Sequence, residues 1–176
     1  NEIFRQAKRS LIVENAHHII SGEPLQKGSK TDDFFFLETD GEAAQRLVCD
    51  LVTTRLPRSY GFDPIRDIQV LCPTKLGPTG TQALNVELQN LLNPPQKGKP
   101  QLQSAARVFR VGDKVMQVRN NYEIVWNRIG GEQGVGAYNG DIGIVESINL
   151  RERSMVVRMD DRRLLYPAEN LNELEI

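Results

Sequence analysis

Apolar residues follow two successive rhythms along this chain. Up to about residue 95 they recur at helical spacing, interrupted by short apolar runs, and beyond about residue 105 they alternate with polar residues. Leu11, Ile12, Ala16, Ile19 and Ile20 share one face, which predicts a helix from about Ala7 to Ile20, stopped at Ser21-Gly22. Phe34-Phe35-Phe36-Leu37 has the length of a strand. Thr39-Asp40-Gly41-Glu42 is a capping-box pattern opening a second helix, whose buried face is Ala43, Ala44, Leu47, Val48, Leu51 and Val52 and whose end is Pro57. Ile68, Val70, Leu71 and Cys72 predict a short buried strand. The loop Lys75 to Gly80 contains two glycines that allow a tight turn and close approach to a ligand. A third helix follows on Leu84, Leu88, Leu91 and Leu92, and Asn93-Pro94-Pro95 stops it.

The order helix, strand, helix, strand, helix argues for a mostly parallel sheet covered by helices, with its ligand edge at the strand C-termini. Such a sheet needs more strands than this stretch holds, so the rest are expected in flanking sequence. Gln96 to Ser104 reads as a polar linker rich in Gly and Pro. After it, Val115 and Gln117 alternate with Lys114 and Met116, and Ile142 and Ile144 follow the turn signal Asn139-Gly140. Met155 to Met159 and Leu164 to Tyr166 are further strands, and Gly130 to Gly136 reads as a flexible glycine-rich excursion. The expected architecture is α/β: a partial parallel-sheet domain over residues 1–98, then a small SH3-like antiparallel β-barrel over residues 99–176.

Composition narrows the function. The 176 residues carry a formal net charge of -1, so a nucleic-acid role must rest on local basic clusters rather than a global field. Cys49 and Cys72 are too isolated for a disulfide framework or a zinc site, and as buried free thiols they fit a reducing, cytoplasmic compartment. No apolar run is long enough to span a membrane and no signal-like start is visible. A start at Asn1 without Met suggests a piece of a larger protein.

Gly28-Ser29-Lys30-Thr31 imitates the end of a phosphate-binding P-loop, but Lys27 stands where a glycine belongs, and the strand comes after it instead of before. His17-His18 has no companion at metal-ligand spacing, and the acidic residues are scattered, so no metal site is expected. What remains is a set of cations, amides and one aromatic. Arg5-Gln6 precedes a helix N-terminus, where a guanidinium either reaches a phosphate or is a surface charge. Lys75 either meets a nucleic-acid phosphate, helped by Thr79 or Thr81 and helix amides, or keeps the loop soluble. Arg119-Asn120-Asn121-Tyr122 suits a single strand, whose bases stack and whose backbone needs charge; a tight turn closed by Asn side chains competes evenly.

In combination these stretches resemble a family. FRQAKRSLIVENAHHIISG (Phe4 to Gly22), VLCPTKLGPTGTQALNVELQNLLNP (Val70 to Pro94), FRVGDKVMQVRNNY (Phe109 to Tyr122) and YNGDIGIV (Tyr138 to Val145) look like consecutive parts of RecD-like ATP-dependent DNA helicases. The resemblance covers nearly the whole chain. It implies two RecA-like motor domains that clasp ATP and move 5′ to 3′ along single-stranded DNA, the second interrupted by an SH3-like domain. Arg5 then matches the arginine that approaches the ATP γ-phosphate, with Gln6 beside it at the nucleotide. Thr74, Lys75 and Gly77 match the loop facing the DNA backbone. Lys114, Gln117, Asn120, Asn121, Tyr122 and Asn139 match the barrel signature, read as DNA-binding, although Asn139-Gly140 is also plain turn chemistry. Tyr138 departs from the Phe expected at its place.

The resemblance also implies ATP and Mg²⁺ in the whole protein and single-stranded and duplex DNA as partners, and it leaves nuclease-complex subunits open. The Walker A lysine, the Mg²⁺-holding acidic motif and the second arginine finger are expected in other parts of the protein, so this piece alone should hydrolyse nothing and bind neither cofactor. The rival reading is a non-enzymatic α/β-plus-barrel module that binds a nucleic acid or a protein partner.

Overall fold

Helical spacing near the N-terminus is realised as a helix, but a different face of it is covered. The computed structural model describes residues 10–29, 32–105, 107–128 and 130–176, and its contacts divide the chain into two units, residues 1–40 and 41–176. In the first unit α1 spans Leu11–Ser21 and ends where Gly22 takes a φ of 73°. The Gly22 and Glu23 amides donate back to the carbonyls of Ile19 and His18, which satisfies the end of the helix. Residues 7–9 of the expected helix lie outside the described residues. Ile12, Ile19 and Ile20 are exposed, whereas Asn15 is buried. Its amide exchanges two hydrogen bonds with the Gln26 backbone, at 3.1 and 2.7 Å, so the following loop closes over a fully paired polar group. Phe34–Leu37 is not a strand, and Phe35, Phe36 and Leu37 are exposed. An apolar run becomes a strand only where a neighbour takes up its backbone hydrogen bonds.

The second unit opens with α2 (Gly41–Asp50), which continues through a π-helical turn (Leu51–Arg55) into α3 (Leu56–Tyr60). Pro57 therefore does not end this helix. The wider turn carries the chain past the missing proline N–H, with the Leu56 amide donating to the Leu51 carbonyl. The stop comes at Gly61, with a φ of 73° and its amide on the Pro57 carbonyl.

Residues 68–72 correct the parallel-sheet expectation in the described residues. Ile68, Val70 and Cys72 are half-buried and alternate with exposed Gln69 and Leu71, so the period of a strand survives, yet no strand forms. A parallel strand needs a ladder along its edges, and every strand pairing among the described residues is antiparallel. The inward side chains instead line an apolar cavity of about 500 Å³ together with α4 (Thr81–Leu92) and residues 112–116.

After α4 the chain is all β: β1 (Gln101–Ser104), β2 (Arg107–Arg110), β3 (Lys114–Gln117), β4 (Asn121–Arg128), β5 (Gln133–Ala137), β6 (Ile142–Asn149), β7 (Ser154–Met159), β8 (Arg162–Pro167) and β9 (Leu174–Glu175), with a 3-10 helix at Ala168–Glu173. β1 and β2 form a hairpin-like pair. The other strands form one sheet in the order β5-β4-β8-β7-β6-β3-β9. This curled antiparallel sheet is a half-barrel consistent with an SH3-like domain. Its concave side holds Phe109, Val115, Ile124, Val145, Met155, Val157, Leu164, Tyr166 and Leu174, all buried.

Two segments differ from the sequence reading. The stretch read as linker to Ser104 becomes strand from Gln101 on, because Leu102 enters the core, 5% exposed, opposite Phe109. The stretch Gly130 to Gly136 is no excursion, since its second half is β5, paired to β4 with Trp126 opposite Gly134. The glycine there is a packing requirement: a Cβ at residue 134 would lie 2.3 Å from the Trp126 ring.

Helix α4 is joined to the barrel by a buried polar cluster. The Asp113 carboxylate accepts from Gln89 Nε2 (2.6 Å), Asn93 Nδ2 (2.6 Å) and the Arg110 amide (2.7 Å). Burial pushes the Asp113 carboxyl above its ordinary range, and these hydrogen bonds pull against that shift without cancelling it. Arg110 in turn donates to Asn90 and to the Asn93 carbonyl, and Lys99 donates to the Asn93 side chain. No helix among the described residues is long and apolar enough to cross a membrane.

Candidate nucleic-acid interface

The residues singled out from sequence fall into three groups. Arg5 and Gln6, expected at the nucleotide, lie outside the described residues. Thr74, Lys75 and Gly77 occupy an exposed loop before α4. Gly77 takes a φ of 88°, which a side chain would strain. The loop folds onto itself. Thr74 Oγ1 donates to the Leu76 carbonyl at 2.9 Å, and the amides of Thr81 and Gln82 donate to the carbonyls of Thr74 and Lys75. Those amides at the start of α4 are therefore engaged within the loop, and Lys75 is the exposed cation it presents.

The third group sits on the barrel, and the structure divides it. Lys114 points back toward the helical part, its Nζ 2.9 Å from the Ile68 carbonyl, and burial pulls its ammonium below the ordinary lysine range despite Asp63 and Asp67. Gln117 and Asn121 turn inward to Glu173. Asn121 Nδ2 donates to both carboxylate oxygens at 3.1 and 2.9 Å, and Gln117 Nε2 donates to Oε2 at 3.1 Å. Tyr166 closes the set, its hydroxyl donating to Gln117 Oε1 at 2.9 Å, and burial with the nearby carboxylates of Glu173 and Asp141 holds that phenol well above its ordinary value.

Asn120, Tyr122 and Asn139 face outward, together with Tyr138. Tyr122 is 64% exposed and Tyr138 47%. Their rings meet edge to face, with centroids 6.0 Å apart. Asn120 links the two turns: its Nδ2 donates to the Tyr122 hydroxyl at 3.1 Å and its Oδ1 accepts the Asn139 amide at 2.9 Å. The turn carrying Tyr138 is itself pinned. The Gly140 amide donates to the Gln117 carbonyl, the Gln117 amide to the Asp141 carbonyl, and the Tyr138 amide to Asp141 Oδ2. With a φ of 94°, Gly140 supplies the left-handed corner, so Asn139-Gly140 is a turn in fact. Two exposed rings on a fixed frame, beside exposed Arg119, make a surface on which bases can stack and a phosphate can be neutralised. The sequence signal for an exposed Tyr138 is its place directly before the turn Asn139-Gly140.

Among the described residues no group of His, Cys, Asp and Glu could hold a metal ion.

The family model for the SH3 domain of ATP-dependent RecD-like DNA helicases matches residues 84–159, which run from within α4 to the end of β7. Residues 84–159 carry the SH3 domain of the RecD-like helicases. It is 33% identical over 144 residues to the ATP-dependent RecD2 DNA helicase of Deinococcus radiodurans, an alignment that covers 82% of this chain. The chain spans 17% of that relative's length. The RecD-like SH3 match includes every exposed member of the barrel group, from Asn120 and Tyr122 to Tyr138 and Asn139.

The surroundings of Glu173 predict a pH dependence of fold stability. Burial pushes its carboxyl up, but hydrogen bonds from Asn121, Asn170 and Gln117, with the charge of Arg119, outweigh burial and hold it below its ordinary value of 4.5. A depressed carboxylate stabilises the fold at pH above its unfolded value, and that contribution is lost as pH falls through the folded value. Asp113, raised above its ordinary 3.8 by burial, has the opposite sign: its charge opposes folding, and protonation relieves it. Thermal melts of the wild type and Glu173→Gln between about pH 7 and about pH 3 should show a Tm difference that narrows on the acid side. A gap that stays constant would show that Glu173 does not titrate with the fold.

Proposed function

We propose that this chain is part of the second motor domain of an ATP-dependent DNA helicase, and that its barrel carries a stretch of the single-stranded DNA track. The observation that supports this most is the exposed Tyr122–Tyr138 pair, braced by Asn120 and flanked by Arg119. Stacking on aromatic rings tolerates any base, which a translocating motor requires. Lys75, on its self-braced loop before α4, adds a point charge for the backbone. In the whole protein Arg5, with Gln6, contributes to the γ-phosphate side of the ATP site, ATP and Mg²⁺ are used, and hydrolysis drives 5′ to 3′ movement and duplex unwinding. No hydrolytic step is assigned to the described residues. Residues 1–98 are the motor portion and residues 99–176 the barrel insert.

The test is binding of the chain to labelled single-stranded DNA across a salt series, with Tyr122→Ala, Tyr138→Ala and Lys75→Ala beside it. Loss of one stacked base is expected to weaken binding about 5- to 150-fold in either tyrosine variant. Lys75→Ala should flatten the dependence on salt by about one phosphate contact. Tyrosine variants that bind like the wild type at every salt concentration would remove the barrel from the track.

A further inference from the structure

We propose that Glu173 is the positioning residue of the stacking platform, a role that rests on the reading of Tyr122 and Tyr138 as a single-strand contact. The segment from Gln117 to Tyr122 hangs from this one buried acid. At its first residue, Gln117 Nε2 donates to the carboxylate (3.1 Å) and to the Arg119 carbonyl (2.8 Å). One residue on, the Val118 amide donates to the Glu173 main-chain carbonyl at 2.8 Å. At the far end Asn121 Nδ2 lies on both carboxylate oxygens while Asn121 Oδ1 accepts the Glu123 amide at 2.9 Å. Tyr122 lies between Asn121 and Glu123, the two residues that this bond ties together, and it is exposed beside the inward Asn121 where the pairing of β4 with β5 shifts register. Asn120, on the other side of Asn121, carries the orientation across to the Tyr138 turn through its bond to the Asn139 amide.

A carboxylate suits this task for a chemical reason. Three side-chain amides, those of Gln117, Asn121 and Asn170, all present N–H donors to it. Only an acceptor-only group satisfies all of them; a glutamine would bring its own NH₂ into the set and an alanine would leave the donors buried and unpaired. Glu173 itself is 8% exposed, so it acts through Asn121 and Gln117, not by touching the nucleic acid.

The experiment compares the affinity of the chain for oligothymidylate with its affinity for an abasic strand of equal length. The variants are Glu173→Ala, Glu173→Gln, Asn121→Ala and Tyr122→Ala, each checked for folding by circular dichroism. Positioning predicts a loss of about tenfold on the base-bearing strand for Glu173→Ala and Asn121→Ala, a smaller loss for Glu173→Gln, and little change on the abasic strand. Equal losses on both strands, or none on either, overturn the proposal. A gain on both strands would show that Glu173 acts by its charge on the phosphates, and also overturns it. If Glu173→Ala does not fold, Asn121→Ala decides, since it cuts the link and leaves fewer donors stranded. Tyr122→Ala separates the two ideas. If it loses no base-dependent affinity the platform reading has failed, and if it does while Asn121→Ala does not, only the role of Glu173 has.

Discussion

Asp113→Ala is expected to destabilise residues 41–176 by about 3 kcal/mol, because two buried donors and one half-buried donor lose their acceptor at once and each such loss costs about 1–3 kcal/mol. Asp113 is 2% exposed. Gln89 Nε2 and Asn93 Nδ2 reach it from α4 and the turn after it, and the Arg110 amide reaches it from the end of β2. The full sum of three losses is not expected, since burying the charge has a cost of its own that the alanine removes. Asp113→Asn keeps the shape and one acceptor, and should lose less. Urea unfolding measures both, and amide exchange should show α4 losing protection before the barrel does. A change below about 1 kcal/mol for the alanine would show that the cluster holds nothing together.

Gly143→Ala should cost about as much, by overpacking instead of by loss. Gly143 lies in β6 between β3 and β7, paired with Val115. A Cβ there would stand 2.6 Å from Met159 Cγ and 2.7 Å from both the Arg158 carbonyl oxygen and Val157 Cγ1. Met159 Cγ is the carbon next to Cβ in a buried side chain and has little room to swing, and a main-chain oxygen in a paired strand cannot move without its neighbours. Overpacking commonly costs about 1–3 kcal/mol and more where backbone must shift, so the expected value is at or above the upper figure, with Gly143→Val unfolded. Urea denaturation with an unchanged m-value and a midpoint near the wild type would show that the sheet yields more easily than its contacts indicate.

How much of this was readable beforehand depended on whether each signal was local. The barrel strands alternate in sequence because one face of each is buried, and β3, β7 and β8 came out where Val115, Met155 to Met159 and Leu164 to Tyr166 placed them. Strand β5 did not, since Gly134 and Gly136 read as loop until Trp126 is seen lying over residue 134. The segments Phe34–Leu37 and Ile68–Cys72 had strand sequences and no ladder, and the ladder is not a property of the segment. Helix α4 and its glycine loop were legible, but the inward pull of Gln117 and Asn121 was not. A Glu 52 residues away in sequence from Asn121 decides it, and nothing near Asn121 announces that acid. Outward Tyr122 and inward Asn121 looked alike as neighbours in an Arg-Asn-Asn-Tyr run.

The shared cluster around Asp113 bears on how portable the barrel is. A graft beginning at the first strand, Gln101, would leave behind Gln89 and Asn93, and would carry into its host a buried carboxylate stripped of two donors, with Arg110 missing its Asn90 and Asn93 partners. Such a transplant exports an acid left with the Arg110 amide and a guanidinium left with Gln101, both short of the partners that α4 and its following turn supplied. A graft that begins at Thr81 takes the donors with it and leaves behind the Ile68 carbonyl that holds Lys114 and the apolar side chains of residues 64–72 over the α4 cavity, so helix α4 is the smallest handle that keeps this cluster whole.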